Sequence, residues 1–475
     1  MFNDFKRLVL LSITFLLSVL SFAQGLGNSP YSSSGIGDVM NYRGTIRNMG
    51  MGYAGSTLGS KEYINFLNPA GLPNMKGKYV DSLVKFDVGY TIQYKRFNAG
   101  DNSATSLGAN IDHISFLLPI SKVVSSGVVL TPLSIVQNHY SYTTSVQNDP
   151  FHLNSLNRDV GNGGIYQLQW MNGVSVSKSL ALGLTTSYNF GNITQEKSTQ
   201  LIVNPANPDQ ENEAGIIVKT NYSGVSFKPG FIYTKQLHKK ELITSVDPYG
   251  VAHDSLVKKP VPVFFKIGLA TEFFPHVKAS ESNQVFVRNS SNLLAIDSIY
   301  STSRSSVKFP TTYRLGTSLD KPGSWSIAAD VMYSDWAGYN SSTNHRDSLN
   351  AGSYSFFLGG EIMPHKTAQQ LREKNKILKL HRVKTYRAGF SYTASQVNNA
   401  GNRLYDYSFS FGTTIPLGIR SKTTGSMVNI LPKLNIAFIV GQRTTYASDQ
   451  LTETYYRLHL SMVIYDKWFN KRRIQ

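Results

Sequence analysis

The chain is expected to be all-β, a transmembrane antiparallel β-barrel of about 14 strands with an N-terminal plug inside the lumen. Two observations point there: apolar and polar residues alternate every second position over long runs, and the composition is poor in charge but rich in aromatics. Of 475 residues, 16% are charged and 12% aromatic, with 27 Tyr and 25 Phe, against about 25% charged in average globular domains. Such a chain presents its outer surface to something other than water.

The elements follow in chain order. Lys6 and Arg7 precede an apolar run from Leu8 to Leu20, and Ser21-Phe22-Ala23 offers a cleavage point before Gln24, so residues 1–23 read as a signal peptide removed near Ala23. The run is shorter than the roughly 20 residues a helix needs to span a bilayer. With no cysteine, neither a disulfide framework nor a lipid anchor on Cys is expected. An exported, aromatic-rich chain with no later run of about 18 apolar residues is assigned to the outer membrane of a Gram-negative bacterium.

Residues 24–80 are assigned to the plug, or hatch. Asn28 to Met75 is rich in glycine, carries few charges and shows neither strand nor helix periodicity. Gly50-Met51-Gly52-Tyr53-Ala54-Gly55 matches the spacing G-x-G-x-x-G. A dinucleotide site needs that motif between a strand and a helix. Here a polar, glycine-rich stretch precedes it and no helix pattern follows, so the glycines read as tight turns and close packing.

Residues 81–475 are assigned to the barrel, its external loops and its long periplasmic connections. In the first run Val84, Phe86, Val88, Tyr90, Ile92 and Tyr94 share one face, and Lys85, Asp87, Thr91, Gln93 and Lys95 the other. Fourteen such runs fall at 83–97, 107–119, 122–145, 161–177, 180–203, 215–235, 262–277, 305–319, 323–337, 352–364, 382–396, 404–418, 431–446 and 454–469. Many exceed the roughly 9–11 residues that cross a membrane at a tilt, and Tyr and Trp recur near their ends.

Tight turns at Ser121, Lys178-Ser179 and Asp320-Lys321-Pro322 follow even-numbered runs. The polar stretches Gln147 to Val160, Asn204 to Ala214, Lys278 to Arg304 and Gly338 to Ala351 follow odd-numbered ones, the asymmetry of short periplasmic turns and long external loops. Gln236 to Val261, His365 to His381 and Ile419 to Ile430 break that rule, being periplasmic by count yet long. Lys366, Arg372, Lys374, Lys376 and Lys379 crowd the second of these, and Lys471-Arg472-Arg473 lies on the same side. Charge runs of this kind are solvated faces or docking surfaces for an acidic periplasmic or outer-membrane protein. The net charge of +18 does not imply nucleic acid, since no nucleic-acid-binding motif accompanies it.

Chemistry is sparsely marked. The ten His are scattered, and neither H-E-x-x-H nor G-x-S-x-G occurs, so no enzyme, metal or cofactor is expected. The third run holds an anomaly: Val124, Val128 and Leu130 keep the apolar phase, which passes to Leu133 and Ile135 beyond Pro132. Proline cannot donate to the ladder, and a phase change across it signals a bulge. That is either a bend or a gap through which an apolar ligand leaves sideways.

Two regions carry a family resemblance. Met49-Gly50-Met51-Gly52 with Ala54-Gly55, then Asn65-Phe66-Leu67-Asn68-Pro69-Ala70-Gly71-Leu72, resembles the hatch of FadL-type outer-membrane transporters of fatty acids and hydrocarbons. Pro310, Gly316, Trp325, Asp330, Tyr333 and Trp336 resemble that family's proline strand and following hairpin. Tyr31, Ser32, Gly35, Ile36, Gly37 and Asp38 look like the opening of Bacteroidota-type members. The resemblance implies a hatch at Gly50, Gly52, Gly55 and Asn68 to Leu72, an apolar site within, and a lateral opening at the kink near Pro132.

Two functions are expected from this. The first is passive uptake of hydrophobic small molecules between outer-membrane lipid and lumen, with Lys228, Arg314, Arg387 and Arg457 as candidate carboxylate ligands by strand phase. Their alternative role is pairing with Glu272, Asp330, Glu361 and Asp406. The second function is an accessory barrel in a protein secretion or assembly complex, as in the related PorV-like barrels.

Overall fold

The computed structural model describes residues 25–33, 35–40, 42–59, 63–73, 83–121, 123–151, 153–203, 212–246, 252–288, 294–339, 352–363, 384–399, 401–417, 432–447 and 450–467. The signal-peptide residues, Lys366, Arg372, Lys374, Lys376 and Lys379, and the terminal Lys471-Arg472-Arg473 lie outside them. In order, the strands are β1 (Asp38–Val39), β2 (Leu83–Ala99), β3 (Asn102–Pro119), β4 (Val124–Ser145), β5 (Asn154–Ser175), β6 (Leu180–Ile202), β7 (Glu213–Val246) and β8 (Ala252–Arg288). There follow β9 (Leu294–Val307), β10 (Thr311–Lys321), β11 (Trp325–Asp335), β12 (Gly352–Ile362), β13 (Thr385–Asn399), β14 (Asn402–Pro416), β15 (Lys433–Thr444) and β16 (Thr452–Lys467).

Strands β2–β8 and β10–β16 form one antiparallel ring of 14, closed where β16 pairs with β2 from Lys467↔Leu83 to Thr452↔Asn98. Among the described residues no helix is long and apolar enough to cross a membrane. The ring is inside-out relative to a soluble protein. On β2, Phe86, Val88 and Tyr94 are 40%, 36% and 42% exposed, whereas Asp87, Thr91, Gln93 and Lys95 are each 1% exposed. Apolar side chains outward and polar ones inward is the alternation a bilayer imposes, and it fixes the register, because a one-residue slip would turn charges into lipid.

Three stretches read as connections are strand over much of their length, with β5 already beginning at Asn154 inside the expected loop Gln147 to Val160. β7 and β8 stay paired from His238↔Pro260 to Val246↔Ala252, and β8 runs on to Arg288 against β9. Past the lipid-facing band a strand has no reason to alternate apolar with polar, so the periodicity fades while the ladder continues. The expected strand 305–319 divides at Lys308-Phe309-Pro310 into β9 and β10, which pair with successive parts of β8; Pro310 has no N–H for the ladder there.

The described residues between 25 and 73 lie against inward-facing positions on opposite sides of the ring. Among the described residues of this stretch the regular elements are β1, 3-10 turns at Pro30–Ser33 and Pro69–Gly71, and one helical turn at Ile46–Met49. Inward glycines of the wall make room for them. A Cβ on Gly359 of β12 or Gly389 of β13 would fall 2.0 or 2.1 Å from the Met51 backbone, and one on Gly183 of β6 would fall 2.4 Å from that of Ala70.

Candidate functional site: a parted seam and the segment across it

β3 and β4 pair from Pro119↔Ser125 up to Ile114↔Leu130. Beyond that point they part. Both carry a bulge at the fork: Asp112 is the extra residue of β3 between the pairs Gly89↔His113 and Tyr90↔Ile111, and Leu133 that of β4 between Pro132↔Tyr166 and Ser134↔Ile165. The β3 bulge turns two consecutive side chains inward. His113 then lies between two acids, with Nδ1 2.9 Å from Asp112 and Nε2 3.2 Å from Asp87, under the ring of Phe66. Meanwhile β4 keeps its other edge paired with β5 as far as Ser145↔Asn154. Two strand edges are thus left facing each other.

The N-terminal segment bonds to both. On β4, Asp38 and Val39 pair with Ile135 and Ser134. Met40 N donates to Leu133 O at 2.8 Å, Ser29 N to Gln137 O at 2.7 Å, and Gln137 N to Ser32 Oγ at 3.0 Å. The Asn28 side chain accepts from His139 N and donates to His139 O, both at 2.8 Å. On β3, Gly25 bridges Ala109, and Asn28 N donates to Ser106 Oγ at 2.8 Å. A Cβ at Gly108 would fall 2.0 Å from Gly27 N, so a side chain there would exclude the segment.

Charges anchor it from the run of wall beyond β3, on β2, β16, β15 and β14. Arg443 of β15 donates to both Asp38 oxygens at 3.0 Å and to Asp406 Oδ2 at 3.0 Å. Glu453 accepts from Ser29 Oγ at 3.1 Å and pairs with Lys95 at 3.4 Å. Burial alone would raise the Asp38 carboxyl, but Arg443, with Lys95 and Arg457 beyond it, holds it below its ordinary value of 3.8. Tyr31 donates to the Leu451 carbonyl, and burial, then Glu453, pushes its phenol up to about 12.

Deeper in, Gly50-Met51-Gly52 follows the glycine groove. Gly52 takes φ +62°, and its N–H donates to Ser410 Oγ at 2.7 Å. Gly55 takes φ +103°, and its carbonyl accepts from Asn65 Nδ2 at 3.1 Å. Arg47 and Arg387 share Glu361, with Nε donating to Oε2 at 3.1 and 3.0 Å. Asn68 caps the turn Pro69–Gly71 by accepting from Ala70 N at 3.0 Å, and its amide donates to Phe231 O and Leu269 O at 3.2 and 3.3 Å. Leu72 packs with Ile64, Phe66, Leu117, Val129 and Met171.

The four cations singled out from sequence are buried on four different strands, β7, β10, β13 and β16, and engaged with protein groups. Lys228 pairs with Glu272 at 3.1 Å and Arg314 with Asp330 at 2.9 Å. Arg387 pairs with Glu361 at 3.0 Å, while Arg457 donates to Gln93 and Tyr53 and lies 3.8 Å from the Tyr455 ring centre. Lys228 and Arg314 line one cavity of about 20 Å³, room for roughly one water. Sequence reasoning passed over Arg443, Glu453 and the wall glycines. Their signal was there: charged and glycine residues at inward phase, opposite a segment with no pattern of its own.

The BamG family model matches residues 5–475. The chain belongs to the BamG family. No curated protein matches it. Among solved structures, a FadL homologue of Pseudomonas aeruginosa matches with a TM-score of 0.54 at 13% identity over 92% of this chain and 100% of that one. The toluene transporter TbuX of Ralstonia pickettii matches with 0.51 at 12% over 89% and 98%, and the monoaromatic hydrocarbon channel CymD with 0.51 at 12% over 92% and 99%. These likenesses establish the fold: the BamG-family chain is a closed antiparallel barrel of 14 strands built like the FadL-type ones.

Proposed function

We propose that this BamG-family barrel is an accessory or adaptor barrel of an outer-membrane protein secretion or assembly complex, with residues 24–80 as a plug that seals the lumen and the seam. The observation that carries this reading is the occupied seam, where the segment bonds to both parted edges and Arg443 ties it across to β15. Buried pairs such as Arg47–Glu361–Arg387 add to it: breaking one costs about 3–5 kcal/mol, so a segment held by several does not fluctuate open unaided. In this reading the end where β2 begins is periplasmic, and the basic stretch Lys366 to Lys379 faces the partner. Mass spectrometry of the gently purified barrel should find a stoichiometric protein, released when Lys366 to Lys379 is deleted. A barrel that co-purifies with no protein refutes the proposal.

A second reading is favoured by the fork at β3 and β4 and by the likeness to a toluene transporter and a hydrocarbon channel: passive uptake of hydrophobic molecules, leaving sideways at Pro132 once the segment moves. Replacing Pro132 by Val restores a ladder donor, and on this reading it abolishes uptake of toluene or a long-chain fatty acid. Unchanged uptake in that variant rules the lateral route out.

A further inference from the structure

The hairpin of β7 and β8 reaches past the rim of the ring. β6 stops pairing with β7 at Leu180↔Tyr233, and β10 stops pairing with β8 at Asp320↔Phe264. From His238↔Pro260 to Val246↔Ala252 the two strands pair with each other, and among the described residues with no other strand. An isolated two-stranded ribbon in water is marginal, and among the described residues no strand pairs with either of its outer edges.

Its register sets like charge against like. Lys239 lies opposite Lys259 and Lys240 opposite Lys258, whereas Glu241 lies opposite Val257. Like charges directly opposite destabilise a ladder, so this register gains from an outside anion. Lys239 and Lys240 are exposed, as are His238 beside them and Lys178 in the neighbouring β5–β6 turn. The lipid-facing band ends at Tyr233 and Phe265, 44% and 37% exposed. Six or seven residues further along a strand is ~20 Å, or ~14 Å along the membrane normal at a 45° tilt. The headgroup layer is only ~5–8 Å deep, which places the lysine pairs outside it.

We propose that this arm is a docking site for an acidic protein segment, added as a strand to an edge of the hairpin with its carboxylates against the exposed Lys239 and Lys240, opposite which the register sets Lys259 and Lys258. Strand addition supplies the missing backbone partners, and the charge pattern selects the sequence. The inference rests on the accessory-barrel reading and names the contact it uses.

The test takes the full-length barrel in nanodiscs and a synthetic peptide of about ten alternating Glu and Val residues. Hydrogen exchange should show the peptide protecting amides of 237–246 or 252–260. Exchange of all four lysines for Ser should weaken binding at least tenfold, as should raising the salt from about 50 to 200 mM. No protection by the peptide, or equal protection by its Lys-Val counterpart, overturns the proposal, as does arm protection by phosphatidylglycerol vesicles alone. In cells, a four-lysine variant that keeps its barrel fold and still co-purifies with the wild-type partner refutes the arm while leaving the accessory reading intact. A wild-type barrel without any protein partner defeats that reading itself.

Discussion

Replacing Arg443 by Met should detach the N-terminal segment from the seam. Arg443 is buried, donates to Asp38 at two distances of 3.0 Å and to Asp406 at 3.0 Å, and stands 3.8 Å from Glu453. Met keeps much of the volume but leaves three acids around one vacated positive charge. Removing one partner of a buried ion pair costs about 3–5 kcal/mol, most of it the exposure of its partner to an uncompensated interior. Taking the lower bound, at about 1.4 kcal/mol per decade, the local opening constant rises roughly 100-fold. The reporters are the amides of Ser29 and Met40, which bond to Gln137 and Leu133 across the seam. Their hydrogen-exchange protection should fall by about two decades in the variant, while ladder amides of β13 and β14 keep theirs. Arg443→Lys should recover part of the loss. Unchanged protection at Ser29 and Met40 would mean that the clamp carries none of the attachment and that Arg443 does not seal the seam.

Other perturbations follow from the same geometry. Gly389→Val places atoms where Met51 now lies; about 1–3 kcal/mol of overpacking should lower the urea midpoint of the N-terminal segment before that of the ring. The depressed Asp38 carboxyl stabilises attachment fully above its unfolded value near 3.8 and loses that contribution as pH falls through its lower folded value, so pepsin should cut residues 25–40 increasingly below about pH 3.8, and sooner in Asp38→Asn. Because the chain has no cysteine and Val39 pairs with Ser134, Val39→Cys with Ser134→Cys should crosslink the segment to β4. Oxidised, that barrel should retain its protein partner; lateral uptake, if it occurs, should stop until the bond is reduced.

The sequence by itself determined the barrel. Alternation in runs such as Leu83–Phe97 is a local property: a lipid-facing side chain and a lumen-facing one follow each other by strand geometry, whatever the neighbours do. Pro132 likewise announced its bulge, since a missing N–H is written in the residue. What only the tertiary structure decided concerns residues far apart in sequence. Nothing near Asp38 reveals that it meets Arg443 some 400 positions later, and inward phase alone could not tell whether Lys228, Arg314, Arg387 and Arg457 would face a ligand or the acids beside them. The seam belongs to the same class: the fork is legible in β4, but its occupant is a segment without periodicity, whose place is set by glycine gaps and buried charges that converge only when the ring closes.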